Sequence, residues 1–376
     1  MIYKTTPKMI TIFGTRPEAI KMAPLILKAK EGLPFDVRIC VTGQHNEMLD
    51  QVLDFFRIKP DYDINIMKHN QSLFDITTDI LKGLEKVLLT EKPDLVMVQG
   101  DATSAFVGAL AAFYMKIPIA HIEAGLRSFN KHAPFPEEIN RVLVSHIADY
   151  HFAPTARAKE NLLNEGIKED RVYVVGNTVI DALYLTLDMI KNEEDRFSND
   201  FDYLDPEKHL LLVTCHRRES FGEPFRNICL ALKEIAEDNN VEIVYPVHLN
   251  PNVREPVFEI LNGRPNIHLI HPLDYPHLVW LMKKSYLILT DSGGIQEEAP
   301  SLGKPVLVMR EVTERIEGVE AGTCKVIGTS REKIVEETLR LLTDDEEYSR
   351  MARAINPYGD GKSSDRILNI IKGVLY

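Results

Sequence analysis

The chain has 376 residues, 44 Lys and Arg against 56 Asp and Glu, a net charge of −12 and a hydrophobic fraction of 44%. That charge excludes a general nucleic-acid binder, which needs excess positive charge to meet phosphates, and that apolar content excludes a disordered chain. The length suits about two or three domains, large enough to bury their apolar surface without metal or disulfide staples.

The chain opens with Met1 to Lys8, which lacks the apolar core of a signal peptide. The apolar runs Met9–Phe13, Val37–Val41, Leu95–Val98, Ile117–Ile122 and Val172–Val175 read as buried parallel strands. Segments of helical period lie between them, such as Ser72–Leu89 and Thr103–Tyr114. The longest uncharged, mostly apolar stretch, Ala105 to Met115, is too short to cross a bilayer. Near Lys191–Pro206 the pattern breaks into an acidic, polar stretch that reads as a linker or surface excursion. Alternation then resumes, with expected strands at Leu210–Thr214, Glu242–Pro246, Ile267–Ile270, Leu287–Leu289 and Val306–Val308. The last segment, Asp345–Tyr376, reads as helical with a break at Pro357–Gly361 and is placed to return to the first domain. Cys40, Cys215, Cys229 and Cys324 form no C-x-x-C pair, which suits a reducing cytoplasm and small buried roles.

This alternation predicts an α/β protein with two Rossmann-like domains. The first covers 1–190 and is completed by a C-terminal helix at 358–376; the second covers 206–357. Open α/β sheets bind ligands at the carboxyl ends of their strands, so the candidate residues are those at strand ends. Two such sheets facing each other would hold a ligand in the cleft between them.

The first strand runs into Gly14-Thr15-Arg16-Pro17-Glu18, a turn and helix start that attracts anions. Neither a Walker A loop nor a G-x-G-x-x-G follows any strand, which speaks against a nicotinamide fold. Asp101 follows Leu95–Val98, and Glu123 follows Ile117–Ile122. The plainer reading of Asp101 is a helix N-cap. Two carboxylates at adjacent strand ends are unfavourable when dry unless they meet cations or move protons. Glu137 and Glu138 open a helix after a proline loop, Phe129 to Pro136, long enough to act as a mobile cover. Their plainer reading is complementing the helix dipole.

In the second half, His216 and Arg217 follow Leu210–Thr214, and no H-E-x-x-H supports a metal centre. Ser292-Gly293-Gly294 joins a strand to a helix, where backbone N–H groups can meet a diphosphate. Glu298, a turn later, can accept from both hydroxyls of a ribose. Arg16, Lys21, Arg141, His216, Arg217 and Arg315 all fall near expected strand ends. In so acidic a chain that clustering points to a phosphate-bearing ligand, and the Ser-Gly-Gly loop with Glu298 favours a nucleotide diphosphate.

The segments GTRPEAIKMAP, TGQH, MLDQVL, HIEAGLR, PEEINR, GNTVIDAL, HRRESFG, YPVHLNP, LTDSGGIQEEAPSLGKPV and TERIEGVEAGT stand in this order between residues 14 and 323. Together they resemble the non-hydrolysing UDP-N-acetylglucosamine 2-epimerases. The resemblance implies a GT-B-like fold, with the sugar on the first domain and UDP on the second. It implies interconversion of UDP-N-acetylglucosamine and UDP-N-acetylmannosamine with no cofactor and no metal, by a cytoplasmic homodimer without nucleic-acid or membrane partners. Carried over by motif, Asp101, Glu123, Glu137, His216 and Lys21 are the catalytic set. Arg16, Gln71, Arg141, Ser292, Gly293, Gly294, Glu298 and Arg315 are the substrate-binding set. Gln44, Glu138, Arg217 and His248 resemble a second, regulatory UDP-N-acetylglucosamine site of some bacterial relatives. The chain departs from the usual GDTTT at Gly100-Asp101-Ala102-Thr103-Ser104, and from S-P-W-P-E-E at Ala133-Pro134-Phe135-Pro136-Glu137-Glu138. A related sugar, altered at C3 or C6, stays open on that account.

The chemistry has one obstacle: the C2–H of the sugar is not next to a carbonyl, so its removal alone leaves no stabilised carbanion. The route implied is loss of UDP from C1 with the C2 proton, giving a 2-acetamidoglucal, followed by re-addition from the other face. Cations on the diphosphate stabilise the leaving group, and carboxylates move the protons. A GT-B glycosyltransferase, a hydrolysing epimerase and a non-catalytic UDP-sugar sensor are the alternatives; a Rossmann dehydrogenase lacks its fingerprint.

Overall fold

The computed structural model describes residues 6–32, 35–43, 46–66, 71–238 and 240–376. The chain divides into two compact units, one made of Met1–Leu185 with Tyr358–Tyr376 and the other of Thr186–Pro357.

The first unit is built on β1 (Lys8–Phe13), β2 (Asp36–Val41), β3 (Tyr62–Asp63), β4 (Leu95–Gln99), β5 (Ile119–Ile122), β6 (Tyr150–Ala153) and β7 (Val172–Val174). Among the described residues these pair in parallel in the order β3-β2-β1-β4-β5-β6-β7. Every residue of β4 is buried, as a strand covered on both faces requires. Ile10, Ile12, Val96, Val98, Ala105 and Ala109 pack in its main core cluster. The helix Leu73–Glu91 starts at a capping box, in which Ser72 and Asp75 satisfy each other's backbone N–H.

The second unit holds β8 (His209–Thr214), β9 (Val241–Pro246), β10 (Ile267–Ile270), β11 (Leu287–Thr290), β12 (Val306–Val308) and β13 (Cys324–Val326). Among the described residues their order is β10-β9-β8-β11-β12-β13, again parallel. Leu211, Val213, Phe225, Ile243, Leu289 and Leu307 belong to its core. Both units therefore show the expected Rossmann-like α/β order, in which the strand sequence reverses beside the first strand.

The segment 191–206 is not a linker. It carries the helix Glu194–Asp200 and belongs to the second unit. Phe197 and Phe201 are buried and stack on Trp280, with Phe201 5.2 Å from it at 9°. Two aromatics outweigh the acidic composition that suggested solvent. The unit boundary falls earlier, inside the helix Thr178–Ile190.

The C-terminal helix Ser363–Leu375 packs in the first unit through Ile367, Leu368 and Ile371. Its first N–H groups, which have no partner within a helix, donate from Ser363 and Ser364 to Asp181 at 3.1 and 2.8 Å. Gly176, at φ +90°, lets the chain pass close by; a Cβ there would stand 2.6 Å from Ser363 Oγ. The four cysteines are buried. Burial pushes Cys40, Cys229 and Cys324 up to about 12, so these thiols are packing groups rather than nucleophiles. Among the described residues no helix is long and apolar enough to cross a membrane.

Candidate functional site

The candidate residues concentrate at two topological switch points, the ends of β1 and β4 in one unit and of β8 and β11 in the other. In the first unit the turn after β1 is held by Glu18, a buried carboxyl. It accepts from the backbone N–H of Gly14 at 3.0 Å and of Thr15 at 2.8 Å, and from the Ser104 hydroxyl at 2.8 Å. Burial pushes its pKa up against the pull of those donors. Gly14 is required by close approach, since a Cβ would lie 2.0 Å from Thr42 Oγ1 and 3.2 Å from Ser104 Cβ. Arg16, on this turn, begins the helix Arg16–Gly32, and Lys21 follows on it.

Lys21 pairs with Glu123, whose Oε2 also accepts from the Asn177 amide at 2.8 Å. Glu123 sits at φ +63° just after β5. Its carboxylate lies 3.8 Å from where a Cβ of Gly100 would stand, which brings it beside the turn carrying Asp101. Below that turn, His121 Nε2 meets the Gly100 carbonyl at 2.8 Å. Burial pushes His121 down to about 3, so it is a neutral strut. Asp101 pairs with Arg141, and the Asn140 amide donates to the Asp101 carbonyl at 2.9 Å. Each strand-end carboxylate has thus acquired its own cation, which resolves the repulsion expected between them.

Glu137 and Glu138 open the helix Glu137–Ile147 and do different things. Glu138 is buried, accepts from the Ser128 and Phe129 N–H groups at 3.0 and 2.9 Å, and lies 3.4 Å from Arg141 Nη1. Glu137 is half-buried, and its carboxylate has no hydrogen-bond or ion-pair partner among the described residues.

In the second unit Asp291, fully buried after β11, accepts from the His216 and Arg217 N–H groups, each at 2.7 Å. Arg217 Nε returns a bond to the Asp291 carbonyl at 2.9 Å. The ends of β8 and β11 are thereby locked together. The His216 ring stacks on His248, with centroids 5.1 Å apart at 9°. Burial first, then His216, lowers the His248 pKa. Ser292 precedes the short helix Gly293–Glu298, and its hydroxyl makes no capping bond there. Glu298 accepts from the Tyr275 hydroxyl at 2.6 Å, and its Oε2 stands 3.6 Å from where a Gly294 Cβ would be.

Of the cations expected to confront a phosphate, Lys21, Arg141, Arg217 and Arg315 are engaged with carboxylates here. Arg315 pairs with Glu297 at 2.6 Å and with Glu314 at 3.3 Å, and Arg217 reaches Glu314 at 3.4 Å. Burial pushes Glu314 up, but Arg315, Arg310 and Arg217 outweigh it and bring the carboxyl down to about 2. Of the remaining candidates, Gln71 donates to the Ile66 carbonyl at 2.6 Å, and Gln44 lies outside the described residues. Among the described residues no three His, Cys, Asp or Glu side chains form a metal-holding group. Sequence reasoning missed Glu18, Asn177, Tyr275 and Asp291 as supports. Glu18, Asn177 and Asp291 lie within the quoted motifs, where residue type does not separate a support from a surface group, and Tyr275 lies outside all of them.

Comparison with known proteins follows the same lines. A model of the UDP-N-acetylglucosamine 2-epimerase family matches residues 27–372. The UDP-N-acetylglucosamine 2-epimerase of Salmonella typhimurium is 56% identical over 97% of this chain and 98% of its own length. That of Escherichia coli K12 is 54% identical over the same shares. A Neisseria meningitidis UDP-GlcNAc 2-epimerase, solved bound to UDP-GlcNAc, is 50% identical with a TM-score of 0.92, covering 97% of this chain and 100% of that one. The Methanocaldococcus jannaschii epimerase, solved with UDP-GlcNAc and UDP, is 38% identical with a TM-score of 0.83, covering 97% and 99%.

Proposed function

The chain belongs to the UDP-N-acetylglucosamine 2-epimerase family, and we propose that it interconverts UDP-N-acetylglucosamine and UDP-N-acetylmannosamine by eliminating UDP and adding it back. The observation that carries this reading is the division of chemistry between the two switch points. One gathers carboxylates with their cations, Asp101 with Arg141 and Glu123 with Lys21. The other gathers the Ser292–Gly294 turn, Glu298, His216 and Arg315, a set suited to a nucleoside diphosphate.

In the forward direction the bond from C1 to the diphosphate oxygen breaks and that oxygen keeps the electron pair. The C2 proton leaves to a base, and a C1–C2 double bond forms. Arg16, His216 and Arg315 offset the charge that develops on UDP. Glu298 holds the ribose, and Gln71 and Arg141 contribute to the substrate contacts. Asp101, Glu123 and Glu137 move the proton at the two faces of C2, with Lys21 holding Glu123 in place. Glu137, which has no partner of its own among the described residues, is the one best able to shift between states. Return of a proton to the opposite face and re-addition of UDP complete the inversion.

The working form is a homodimer in the cytoplasm. The helices Leu73–Glu91 and Thr103–Tyr114 of the first unit expose Phe74, Leu89, Phe113 and Tyr114, at 85%, 54%, 53% and 64%. Of these, Leu89 and Tyr114 line one surface hollow with Leu81, Ala111 and Met115, and a contiguous apolar patch supports an interface. Sedimentation of a monomer at micromolar concentration would remove this part of the reading. A second UDP-N-acetylglucosamine acting through Gln44, Glu138, Arg217 and His248 would show as a lag when UDP-N-acetylmannosamine is supplied alone.

The deciding experiment is proton NMR of UDP-N-acetylglucosamine with the purified protein in D2O. The epimer should appear with deuterium at C2. Free N-acetylmannosamine with UDP would indicate a hydrolysing enzyme, and no change in the sugar would indicate a sensor.

A further inference from the structure

Asp291 is fully buried, yet only half of its carboxyl group is used. Oδ2 takes the two backbone N–H groups of His216 and Arg217, while Oδ1 has no hydrogen-bond partner among the described residues. A buried acceptor left open is costly, so a donor brought to it is favoured. The His216 Nδ1 atom lies 3.8 Å from Oδ1, just beyond hydrogen-bond reach. The same carboxyl group already fixes the His216 backbone, so rotation of the ring alone can close the gap. His248 covers one face of the ring and limits the orientations it can take. The other groups around Asp291 do not compete well. The Cys215 thiol beside it is a weak donor, held protonated well above its ordinary range by burial and by Asp291 itself. The Tyr245 hydroxyl is committed to the Cys215 carbonyl at 2.7 Å.

Resting on the assignment of His216 to the diphosphate, we propose that Asp291 is the positioning residue for His216, holding hydrogen on Nδ1 so that Nε2 is the nitrogen presented to the departing UDP. With Nδ1–H kept on Asp291, Nε2 alone faces a phosphate oxygen, and it donates there when it carries the ring's second hydrogen. Hydrogen bonds of this type are often long before substrate binds and shorten in the complex. The arrangement also joins two motifs, since the residue before Ser292-Gly293-Gly294 orients the histidine at the end of β8.

The test reads the ring directly. Protein labelled with 15N-histidine is examined by two-bond nitrogen–proton NMR, with the His216 signals identified by their loss in His216→Ala. At a pH where the ring is neutral, wild type should show hydrogen on Nδ1 and a bare Nε2, and Asp291→Asn should reverse this. A wild-type ring with hydrogen on Nε2, or a variant with an unchanged tautomer, overturns the assignment. In steady-state kinetics Asp291→Asn should lower kcat on the order of 10²-fold, with KM for UDP-N-acetylglucosamine moved less than about threefold. Added to His216→Ala, it should cost less than about twofold more. Losses that multiply across the pair would mean that Asp291 acts through the fold and not through His216. Should Asp291→Asn not fold, the wild-type tautomer decides alone. The spectrum needs no turnover, so failure of C2 exchange in wild type would remove the epimerase reading while leaving this assignment to its own result.

Discussion

The Tyr275 hydroxyl donates a 2.6 Å hydrogen bond to Oε1 of Glu298, and both side chains are buried. Glu298 is the residue assigned to the ribose, so Tyr275 helps to hold its carboxylate in place for that contact. Glu298→Ala should weaken UDP binding by about 1–3 kcal/mol, and Tyr275→Phe by about 1 kcal/mol. Calorimetric titration with UDP checks both. Equal affinities in wild type and Glu298→Ala would remove Glu298 from the UDP site, and a larger loss in Tyr275→Phe than in Glu298→Ala would show that Tyr275 does more than support it.

Glu314 gives the second unit an acid-sensitive joint. Burial raises its carboxyl, the three arginines around it outweigh burial, and the balance is about 2 against an ordinary 4.5. A folded-state value below the unfolded one contributes stability that is present above about pH 4.5 and is lost as pH falls toward 2. Glu314→Gln should therefore be less stable than wild type at pH 7. The gap should shrink as pH is lowered from about 4.5 toward 2, because wild type alone loses the contribution of this ion cluster. Urea midpoints across that range give the answer; a gap that stays constant with pH would assign the loss to packing.

The long apolar strands and the helices between them were legible because covered parallel strands are nearly all apolar, as in Leu95–Gln99. The strands β3, β6 and β13 were not, because each is short and carries a polar or charged residue: Asp63, His151 and Lys325. The expected strand at Ile117 begins instead at Ile119, after Lys116 takes up φ +57° at the end of the preceding helix. At the candidate site, strand-end residues such as Asp101, Glu123 and His216 could be found from position alone. Their pairings could not, because Lys21 and Glu123 are 102 residues apart in sequence. GNTVIDAL was read only as a family segment. In the structure Asn177 reaches Glu123, and Asp181 caps the C-terminal helix.

Activity should survive removal of divalent ions. The residues assigned to the diphosphate are Arg16, His216 and Arg315 with the Ser292–Gly294 turn, and cationic side chains and backbone N–H groups can do for a leaving phosphate what a metal does elsewhere. Protein treated with EDTA and desalted should retain full epimerisation without added nicotinamide. Activity lost on treatment and restored only by a divalent ion would contradict the assignment.

The proton-transfer assignment makes the strongest demand, because inversion at C2 needs a group for each face or one that serves both. Asp101 and Glu123 are tied to Arg141 and Lys21, whereas Glu137 has no such tie among the described residues. Removing one general acid or base costs on the order of 10²–10⁴ in rate. Asp101→Asn, Glu123→Gln and Glu137→Gln should each fall in that range while keeping UDP affinity, since UDP is assigned mostly to the other unit. They should differ in folding cost. Glu123→Gln replaces a buried carboxylate that accepts from both Lys21 and Asn177, and should lower the melting temperature. Glu137→Gln breaks no contact among the described residues and should melt as wild type does. In D2O the wild-type product should carry deuterium at C2, with a trace of 2-acetamidoglucal and UDP. A variant that forms no epimer but still exchanges C2–H in recovered substrate would retain one of the two proton transfers. That outcome would identify which carboxylate serves which face. Near-normal rates in all three variants would show that the proton is carried by other residues.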